Sequence, residues 1–339
     1  MKLQILIPQY KETEAVVKPL LDSIAVQQNV DFDEIGVIIC NDGSDVKLSK
    51  GLLNSYPFNV EYYNCDHKGV SATRNACLDH ATAEYVMFCD ADDMFYTVTG
   101  LYLIFNEIKN GGFNALVSAF VEEGRHPETK DVLYHIRGAV IPGPNGQQQG
   151  GVDVTFVHGK VYNRQYLLNN KIRWNDSLTI HEDSYFNCLG LQLSEKEKVK
   201  YCANPFYLWK WRDESVCRHD PKYILKTYNN MLDSNTALVK EFLNRGKVES
   251  AQFYATNMIY DAYFTMNKKE WINQENQQYR DATERRFKQY FTDFVTVYSA
   301  TPEQVKQQII VGIKNRFFQE GMFLESVTFD DWIKHILNM

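Results

Sequence analysis

An apolar segment that ends in acidic residues, EYVMFCDADDMF at 84–95, most constrains what this 339-residue chain can fold into. Residues 85–89 have the composition of a buried strand, whereas Asp90, Asp92 and Asp93 place three carboxylates within four positions. Like charges this close repel each other unless a cation compensates them. The segment therefore predicts a core strand that opens onto a polar site.

Three more strand-like segments precede it, namely LQILIP, EIGVIIC and NVEYYNC, each followed by polar or turn residues. Apolar residues recur at helical spacing between them, at Val16, Val17, Leu20, Leu21 and Ile24 and, less regularly, at Ala72, Ala76 and Leu78. This βαβαβ order predicts an α/β fold with a mostly parallel, Rossmann-like sheet and flanking helices. Because ligands of such sheets bind beyond the carboxyl ends of the strands, IPQY, CNDGS and CDADD should converge on one cleft.

The D-x-D spacing suggests a metal site. Alternate side chains of an extended segment point to the same side, so Asp90 and Asp92 could share one hard divalent ion such as Mn²⁺ or Mg²⁺. A solvated acidic turn explains D-x-D alone equally well. An EF-hand loop is excluded because its Gly and its terminal Glu are missing.

Cysteine use, hydropathy and charge exclude several classes of protein. The seven cysteines include no C-x-x-C pair, which argues against a disulfide framework and a zinc site. No stretch approaches eighteen apolar residues and no cleavage site follows the N-terminus, so we expect a cytoplasmic protein without a signal peptide or membrane span. Residues 1–220 carry a net charge of −8 and residues 221–339 one of +1, unlike the charge of a strongly basic nucleic-acid-binding protein.

Five motifs in order resemble those of family 2 glycosyltransferases of the GT-A fold. They are IPQYKE at 7–12, NDGSD at 41–45, GVSATRNACLDHATAEYVMFCDADDMF at 69–95, HEDSYF at 181–186 and WKWRDESVCR at 209–218. The resemblance covers residues 1–218 and implies a GT-A catalytic domain there. It also implies an enzyme that moves a sugar from a nucleotide diphosphate sugar, with a UDP-sugar expected, to a hydroxyl group. The reaction would be a single displacement with inversion at the anomeric carbon.

The resemblance also implies which residues bind the donor. Tyr10 would stack on the base, Asp42 would accept a hydrogen bond from a uracil ring N–H, and Arg74 would lie near the base and the phosphates. Lys11 stands where the family usually has Asn. A packed tyrosine, an N-cap aspartate and a surface arginine are the structural alternatives. The implied donor-binding residues are Pro8, Gln9, Tyr10, Glu12, Asp42, Arg74, Asp90, Ala91, Asp92, Arg212 and Ser215.

Glu182 and Asp183 precede apolar residues at helical spacing, which predicts that both carboxylates lie in the first turn of a helix. They could simply cap that helix. The resemblance implies instead that Asp183 is the catalytic base, which takes the proton of the acceptor hydroxyl, and that Glu182 positions or tunes it. Arg212 and Ser215 would grip the diphosphate, and a metal at Asp90 and Asp92 would neutralise its charge as it departs.

Residues 121–151 and 219–339 carry sequence patterns that predict their function less specifically. Residues 121–151 are rich in Pro, Gly and Gln and predict either a lid or acceptor wall, or a plain surface hairpin. His158 stands where relatives often carry an aromatic residue, and we expect it to pack rather than touch the acceptor. Helical periodicity from residue 219 to 339 predicts a smaller α-helical domain, with a helix start at 301–304 and a basic and aromatic segment at 279–291 that either packs or binds nucleic acid.

Three classes of function follow. A metal-dependent glycosyltransferase is favoured. A nucleotidyltransferase would need a Gly-rich phosphate loop that IPQYKE does not supply, and a non-catalytic nucleotide-sugar-binding protein on the same scaffold is the alternative. The expected acceptor is a polymer, either a cell-surface glycan or a hydroxymethylated base in phage DNA, since some phage-encoded members of the family resemble this chain.

Overall fold

The computed structural model describes residues 1–126, 128–138, 155–212, 223–255 and 272–300, together with the short pieces 141–142, 148–149, 258, 303, 311 and 331. The chain divides into two compact units, Met1–Asp213 and Glu214–Met339. The predicted boundary after residue 218 stays a prediction.

The first unit is built on a mixed sheet. Its strands are β1 (Leu3–Gln9), β2 (Ile35–Asp42), β3 (Asn59–Cys65), β4 (Tyr85–Phe88), β5 (Met94–Phe95), β6 (Ala115–Arg125), β7 (Val132–Arg137), β10 (Lys160–Asn163) and β11 (Val199–Trp209), while β8 (Ile141–Pro142) and β9 (Gln148–Gln149) form a separate pair. The helices are α1 (Glu14–Ala25), α2 (Lys50–Leu53), α3 (Val70–His80), α4 (Gly100–Lys109), α5 (Arg164–Asn169) and α6 (Glu182–Gln192).

The strand order is β3-β2-β1-β4-β10-β6-β11-β5, with β7 paired to β6. The four predicted strands β1 to β4 are parallel neighbours, whereas β5, β7 and β10 run antiparallel to their partners. Side chains of β1 and β2 are buried almost throughout, as expected for strands covered on both faces. The predicted α/β fold is confirmed.

Helix α1 follows its predicted apolar stripe, because Val17, Leu20, Leu21 and Ile24 are buried. Helix α3 does not. Of its predicted stripe only Leu78 is fully buried, and the other buried positions include four polar residues, Ser71, Thr73, Arg74 and Asn75. The side of α3 that turns inward therefore belongs to a polar site as well as to the core.

The segment from 121 to 151 begins as a hairpin, because β7 pairs antiparallel with β6 from Phe120↔Arg137 to Arg125↔Val132. This pairing agrees with the interpretation of the segment as a plain surface hairpin. Most of the predicted PGPNGQQQGG loop lies outside the described residues. Its role as a lid or acceptor wall stays a prediction.

The second unit is helical where it is described, with α7 (Tyr223–Asn244), a helical segment at 248–255 and α8 (Gln277–Ala300). Helices α7 and α8 pack together, and their buried side chains include Leu232, Leu238, Phe242 and Phe287. The predicted helix start at 301–304 lies almost wholly outside the described residues. None of the helices in the described parts of the chain combines the length and hydropathy of a membrane span.

Candidate functional site

The carboxyl ends of β1, β2 and β4 meet, as predicted, at one cleft of about 380 Å³. The lining residues are Pro8, Gln9, Tyr10, Glu12, Asp42, His67, Gly69, Val70, Thr73, Arg74, Asp90, Ala91, Asp92 and Arg212. Every donor-binding residue that the sequence predicted lines this cleft, except Ser215, which lies outside the described residues. His67 was not predicted.

Tyr10 and Asp42 both line the cleft. The ring of Tyr10 is 41% exposed and is therefore not a packed core tyrosine. The carboxylate of Asp42 is buried and accepts hydrogen bonds from the backbone N–H groups of Lys68 at 2.8 Å and Gly69 at 3.0 Å. Since Gly69 is the residue before α3, Asp42 anchors the segment that leads into this helix.

His67 contacts both of these residues. Its ring stacks on Tyr10, with centroids 4.6 Å apart and planes 12° apart. Its Nδ1 lies 2.9 Å from Oδ2 of Asp42 and donates to it, because an ionised carboxylate can only accept. One imidazole thus covers the exposed aromatic ring and engages the buried carboxylate.

The turn after β1 is held by its own side chains. Gln9 donates to the carbonyl oxygens of Glu12 at 2.7 Å and Val46 at 3.1 Å, so its amide supports the turn. Lys11 has φ 68°, in the left-handed region that Asn tolerates better than Lys, which is a physical reason for Asn at this position in relatives. The ammonium of Lys11 lies 4.9 Å from the centre of the Tyr10 ring.

Arg74 lies at the centre of the site and is 4% exposed, so the surface-arginine interpretation is wrong. Its Nη2 donates to Oδ1 of Asp90 and its Nη1 donates to Oε1 of Glu182, both at 2.8 Å. The guanidinium also lies 4.4 Å from the centre of the Trp174 ring. Arg74 therefore joins the D-x-D segment to the first turn of α6.

Trp174 is a second residue that the sequence analysis missed. It stacks on Phe186 with centroids 4.3 Å apart and planes 3° apart. Asn75, from the same TRN motif as Arg74, holds it by donating to the Trp174 carbonyl at 2.9 Å and accepting from the Trp174 N–H at 3.0 Å. The TRN motif thus supplies both the buried cation and the anchor of its aromatic neighbour.

Asp90 of the D-x-D segment also belongs to a group of potential metal ligands, Asp90, Asp93 and His158, whose ligand atoms lie within 4.8 Å of one another. Burial would raise the pKa of Asp90, but the charge of Arg74, together with His158, holds it below its usual value. Burial, reinforced by Asp92 and Asp90, raises the pKa of Asp93 well above its usual value. Asp90 is thus kept ionised, whereas the buried Asp93 is driven towards its neutral form.

The remaining contacts of this group distinguish its members. Asp93 is buried and accepts from the hydroxyl of Tyr207 at 2.6 Å and from the backbone N–H of Lys210 at 2.9 Å. His158 packs between aromatic rings, as predicted, with Tyr207 and Trp209 both 5.0 Å away between centroids. Asp92 is not part of this group; it lines the cleft together with Asp90, and Arg212 Nη1 donates to it at 2.9 Å.

Glu182 and Asp183 open helix α6, as the sequence predicted. The residue before them, His181, has a left-handed backbone with φ 63°. Oδ1 of Asp183 accepts from the N–H of Ser184 at 2.8 Å. Burial raises the pKa of Asp183 to about 7, with a further contribution from the negative charge of Glu182. A carboxyl group that changes charge near neutral pH is suited to general-base catalysis.

Comparison with known proteins identifies the family. A family model described as "Glycosyl transferase family 2" matches residues 4–167, which include β1 to β4 and the D-x-D segment. Residues 4–167 belong to glycosyl transferase family 2. The matched part of the family 2 domain ends before Glu182, Asp183 and Arg212, so those assignments rest on the motifs and on the geometry described above.

Three similar curated proteins are named for glycosyl transfer or for teichoic acid biosynthesis. "Minor teichoic acid biosynthesis protein GgaB" of Bacillus subtilis is 31% identical over 129 residues, 37% of this chain and 14% of that protein. "Uncharacterized glycosyltransferase YibD" of Escherichia coli is 26% identical over 215 residues, 59% and 61% of the two chains. "Poly(ribitol-phosphate) beta-glucosyltransferase" of Bacillus spizizenii is 25% identical over 334 residues, which cover 93% of this chain and 48% of that protein. This chain spans less than two thirds of each relative.

Solved structures agree on the fold. Residues 1–349 of Staphylococcus aureus TarS in complex with UDP-GlcNAc superpose with a TM-score of 0.66 at 15% identity, covering 96% of this chain and 93% of that one. The same part of TarS without a named ligand superposes with a TM-score of 0.63 at 17% identity, covering 91% and 84%. At these identities the likeness establishes the GT-A fold of the family 2 domain.

Proposed function

We propose that this chain is a metal-dependent, inverting glycosyltransferase that moves a sugar from a UDP-sugar to a hydroxyl group of a polymer. One observation carries the proposal: Arg74 bonds both Asp90, which lines the cleft, and Glu182, whose charge acts on the neighbouring Asp183. A donor lying in the cleft would therefore have its diphosphate close to the D-x-D segment and its sugar towards the proposed base.

The cleft offers matched chemistry at both ends of such a donor. Tyr10 presents a flat ring and Asp42 a hydrogen-bond acceptor, which suits a planar base with a ring N–H. Arg212 provides a guanidinium fork for phosphate oxygens and already lies beside Asp92 and, at 3.8 Å, Glu12. Ser215, three residues further along the chain, is assigned to the same diphosphate from its motif.

The carboxylates fit a hard divalent ion, either Mn²⁺ or Mg²⁺. The side chains of Asp90 and Asp92 keep 31% and 28% exposure in the cleft, so their oxygens are accessible. Both oxygens of Asp93 already accept hydrogen bonds, and we therefore assign Asp93 to the support of the site. When bound, the ion would supply positive charge that favours departure of the diphosphate.

Asp183 would act on the acceptor. Its carboxylate takes the proton from an acceptor hydroxyl as that oxygen forms a bond to the anomeric carbon, and the bond from this carbon to the diphosphate oxygen breaks. Because one displacement at carbon reverses its configuration, the product has the opposite anomeric form. Glu182 is held by Arg74 and acts through its negative charge on Asp183.

A cell-surface polymer of polyol phosphate is the acceptor that we propose. The relative named for poly(ribitol-phosphate) glucosylation aligns with 93% of this chain and therefore reaches into the second unit, and the similar TarS is named for a transfer to the same polymer. The hydroxymethylated base of phage DNA, raised by the sequence, has no comparable support.

The test is a transfer assay on the purified chain with radiolabelled UDP-glucose, UDP-galactose and UDP-GlcNAc. The acceptors are poly(ribitol phosphate), poly(glycerol phosphate) and DNA containing hydroxymethylcytosine, with hydrolysis of each donor recorded in parallel. We expect transfer to one of the polyol phosphate polymers. Nucleotide binding without hydrolysis or transfer would instead support the non-catalytic alternative, and transfer to DNA alone would overturn the acceptor assignment.

A further inference from the structure

The base end of the cleft already holds a planar nitrogen heterocycle, which is the imidazole of His67. It stacks on Tyr10 and donates a ring N–H to Asp42. These are the two interactions that the cleft offers to an incoming base, namely one aromatic face and one buried acceptor. A single exposed side chain therefore occupies both.

The close approach of His67 depends on the NDG turn. Gly43 has φ +67°, and a Cβ at this position would lie 2.6 Å from the backbone nitrogen of His67. The segment is anchored independently of the imidazole, because the N–H groups of Lys68 and Gly69 also donate to Asp42. The imidazole itself keeps 56% exposure. It can therefore leave the cleft by side-chain rotation while the backbone stays attached.

We propose that His67 competes with the donor base for Tyr10 and Asp42, and that the docked imidazole thereby sets the affinity and the base preference of the cleft. The inference rests on the proposed function, since it concerns the nucleotide end of the same site. A base enters only when His67 has swung out, so the apparent dissociation constant is the intrinsic one divided by the undocked fraction. If His67 is docked in about nine of ten molecules, its removal strengthens binding about tenfold.

The competition also predicts which part of the nucleotide is affected. His67 contacts the two residues that the proposed function assigns to the base, whereas Arg212 and the D-x-D segment are the residues that it assigns to the diphosphate. Loss of the imidazole should therefore strengthen the binding of UDP and UMP by similar factors. Binding of inorganic pyrophosphate, which has no base, should not change.

The experiment is isothermal titration calorimetry on the full chain with UDP, UMP and pyrophosphate, each with Mg²⁺. The variants are His67→Ala and His67→Asn. The matched control is His80→Ala, which removes another exposed histidine stacked on a tyrosine, Tyr63, outside the cleft. We expect roughly 3- to 30-fold tighter UDP and UMP binding for His67→Ala, a gain of the same sign for His67→Asn, and wild-type values for His80→Ala.

Unchanged or weaker UDP binding by both folded His67 variants would overturn the competition, and weaker binding would make His67 a direct ligand of the base. Equal tightening of pyrophosphate would also overturn it, because the effect would not belong to the base. ADP, CDP and GDP are titrated in parallel. If one of these nucleotides binds and UDP does not, the assignment of a UDP-sugar donor is wrong, and the competition by His67 is then measured with that nucleotide. If neither the wild type nor His67→Ala binds any of the nucleotides, both the proposed function and the competition by His67 are overturned.

Discussion

Arg74 donates to Glu182 at 2.8 Å although 108 residues of sequence separate the two. The same guanidinium donates to Asp90 at 2.8 Å, so one buried cation holds a carboxylate from β4's end and a carboxylate from α6. Removing a partner from a buried ionic network leaves an uncompensated charge, which costs more than the intact network contributes. This relationship leads to the first prediction.

Arg74→Met should lower the free energy of unfolding by about 3–5 kcal/mol, because Asp90 and Glu182 lose their common cation. The loss should be larger at pH 8 than at pH 5, because the charge of Arg74 holds the pKa of Asp90 below its usual value and without this charge Asp90 favours its neutral form. Urea unfolding at pH 5 and pH 8, monitored by tryptophan fluorescence, measures the free energy of unfolding and its dependence on pH.

The control for Arg74 is Arg173→Ala. Arg173 pairs with Asp79 at the surface, where the two side chains are 37% and 59% exposed. Exposed pairs of this kind contribute about 0–1 kcal/mol. An equal loss in both variants would show that Arg74 has no special structural position.

Asp183→Asn should reduce turnover by roughly two to four orders of magnitude with little change in the dissociation constant of UDP, as expected for loss of a general base. Transfer by the wild type should rise with pH through about 7, because Asp183 must be ionised to accept a proton and burial raises its pKa to about 7. Initial rates between pH 5.5 and 8.5 test the profile. A similar loss in Glu182→Gln with intact fold would move the role of base to Glu182.

The raised pKa of Asp183 also predicts a dependence of stability on pH. Between pH 4 and 7 the folded state binds a proton at Asp183 that the unfolded chain has released, so this residue lowers stability as the pH rises through that range. Asp183→Asn should therefore gain stability relative to wild type between pH 5 and pH 8. Urea midpoints at four pH values would show it, and a constant difference would contradict the raised pKa.

Removal of divalent ions should abolish transfer, because Asp90 and Asp92 are proposed to hold the ion against the donor diphosphate. Asp92→Asn should weaken Mg²⁺-dependent binding of UDP, with Asp79→Asn, at an exposed surface pair, as the control. Calorimetry with and without Mg²⁺ measures this directly. Full activity in excess EDTA would exclude the metal.

In the second unit three basic residues of α8 differ in their surroundings. Arg286 makes two hydrogen bonds to Asp233, at 2.8 and 2.6 Å, whereas Arg285 and Lys288 have exposed side chains. Arg286→Ala should therefore destabilise the second unit. Replacing Arg285 and Lys288 together should raise the KM for a phosphate-bearing acceptor, more strongly at low salt, and leave donor hydrolysis unchanged. Unchanged KM at every salt concentration would remove the acceptor role.

Local sequence was sufficient to determine the secondary structure that carries the motifs. The strands β1 to β4, helix α1 and the position of Glu182 and Asp183 in the first turn of α6 follow from hydrophobic periodicity and helix-start signals, which depend on residues only a few positions apart. The convergence of the polar segments on one cleft also followed, because parallel strands place their carboxyl ends at one edge of the sheet.

Tertiary structure decided how the polar side chains are paired. The sequence motif assigned Arg74 to the donor site and left a surface arginine as the alternative, whereas its burial between two carboxylates depends on the approach of α6 and of the Trp174 segment to α3. The docking of His67 likewise requires β2 and β3 to be neighbours in parallel register. The residues that Arg74 pairs with lie 16 and 108 positions away in the sequence, and no local periodicity encodes such contacts. Their electrostatic energies arise only when the strand order brings the charged groups together in an environment that excludes water.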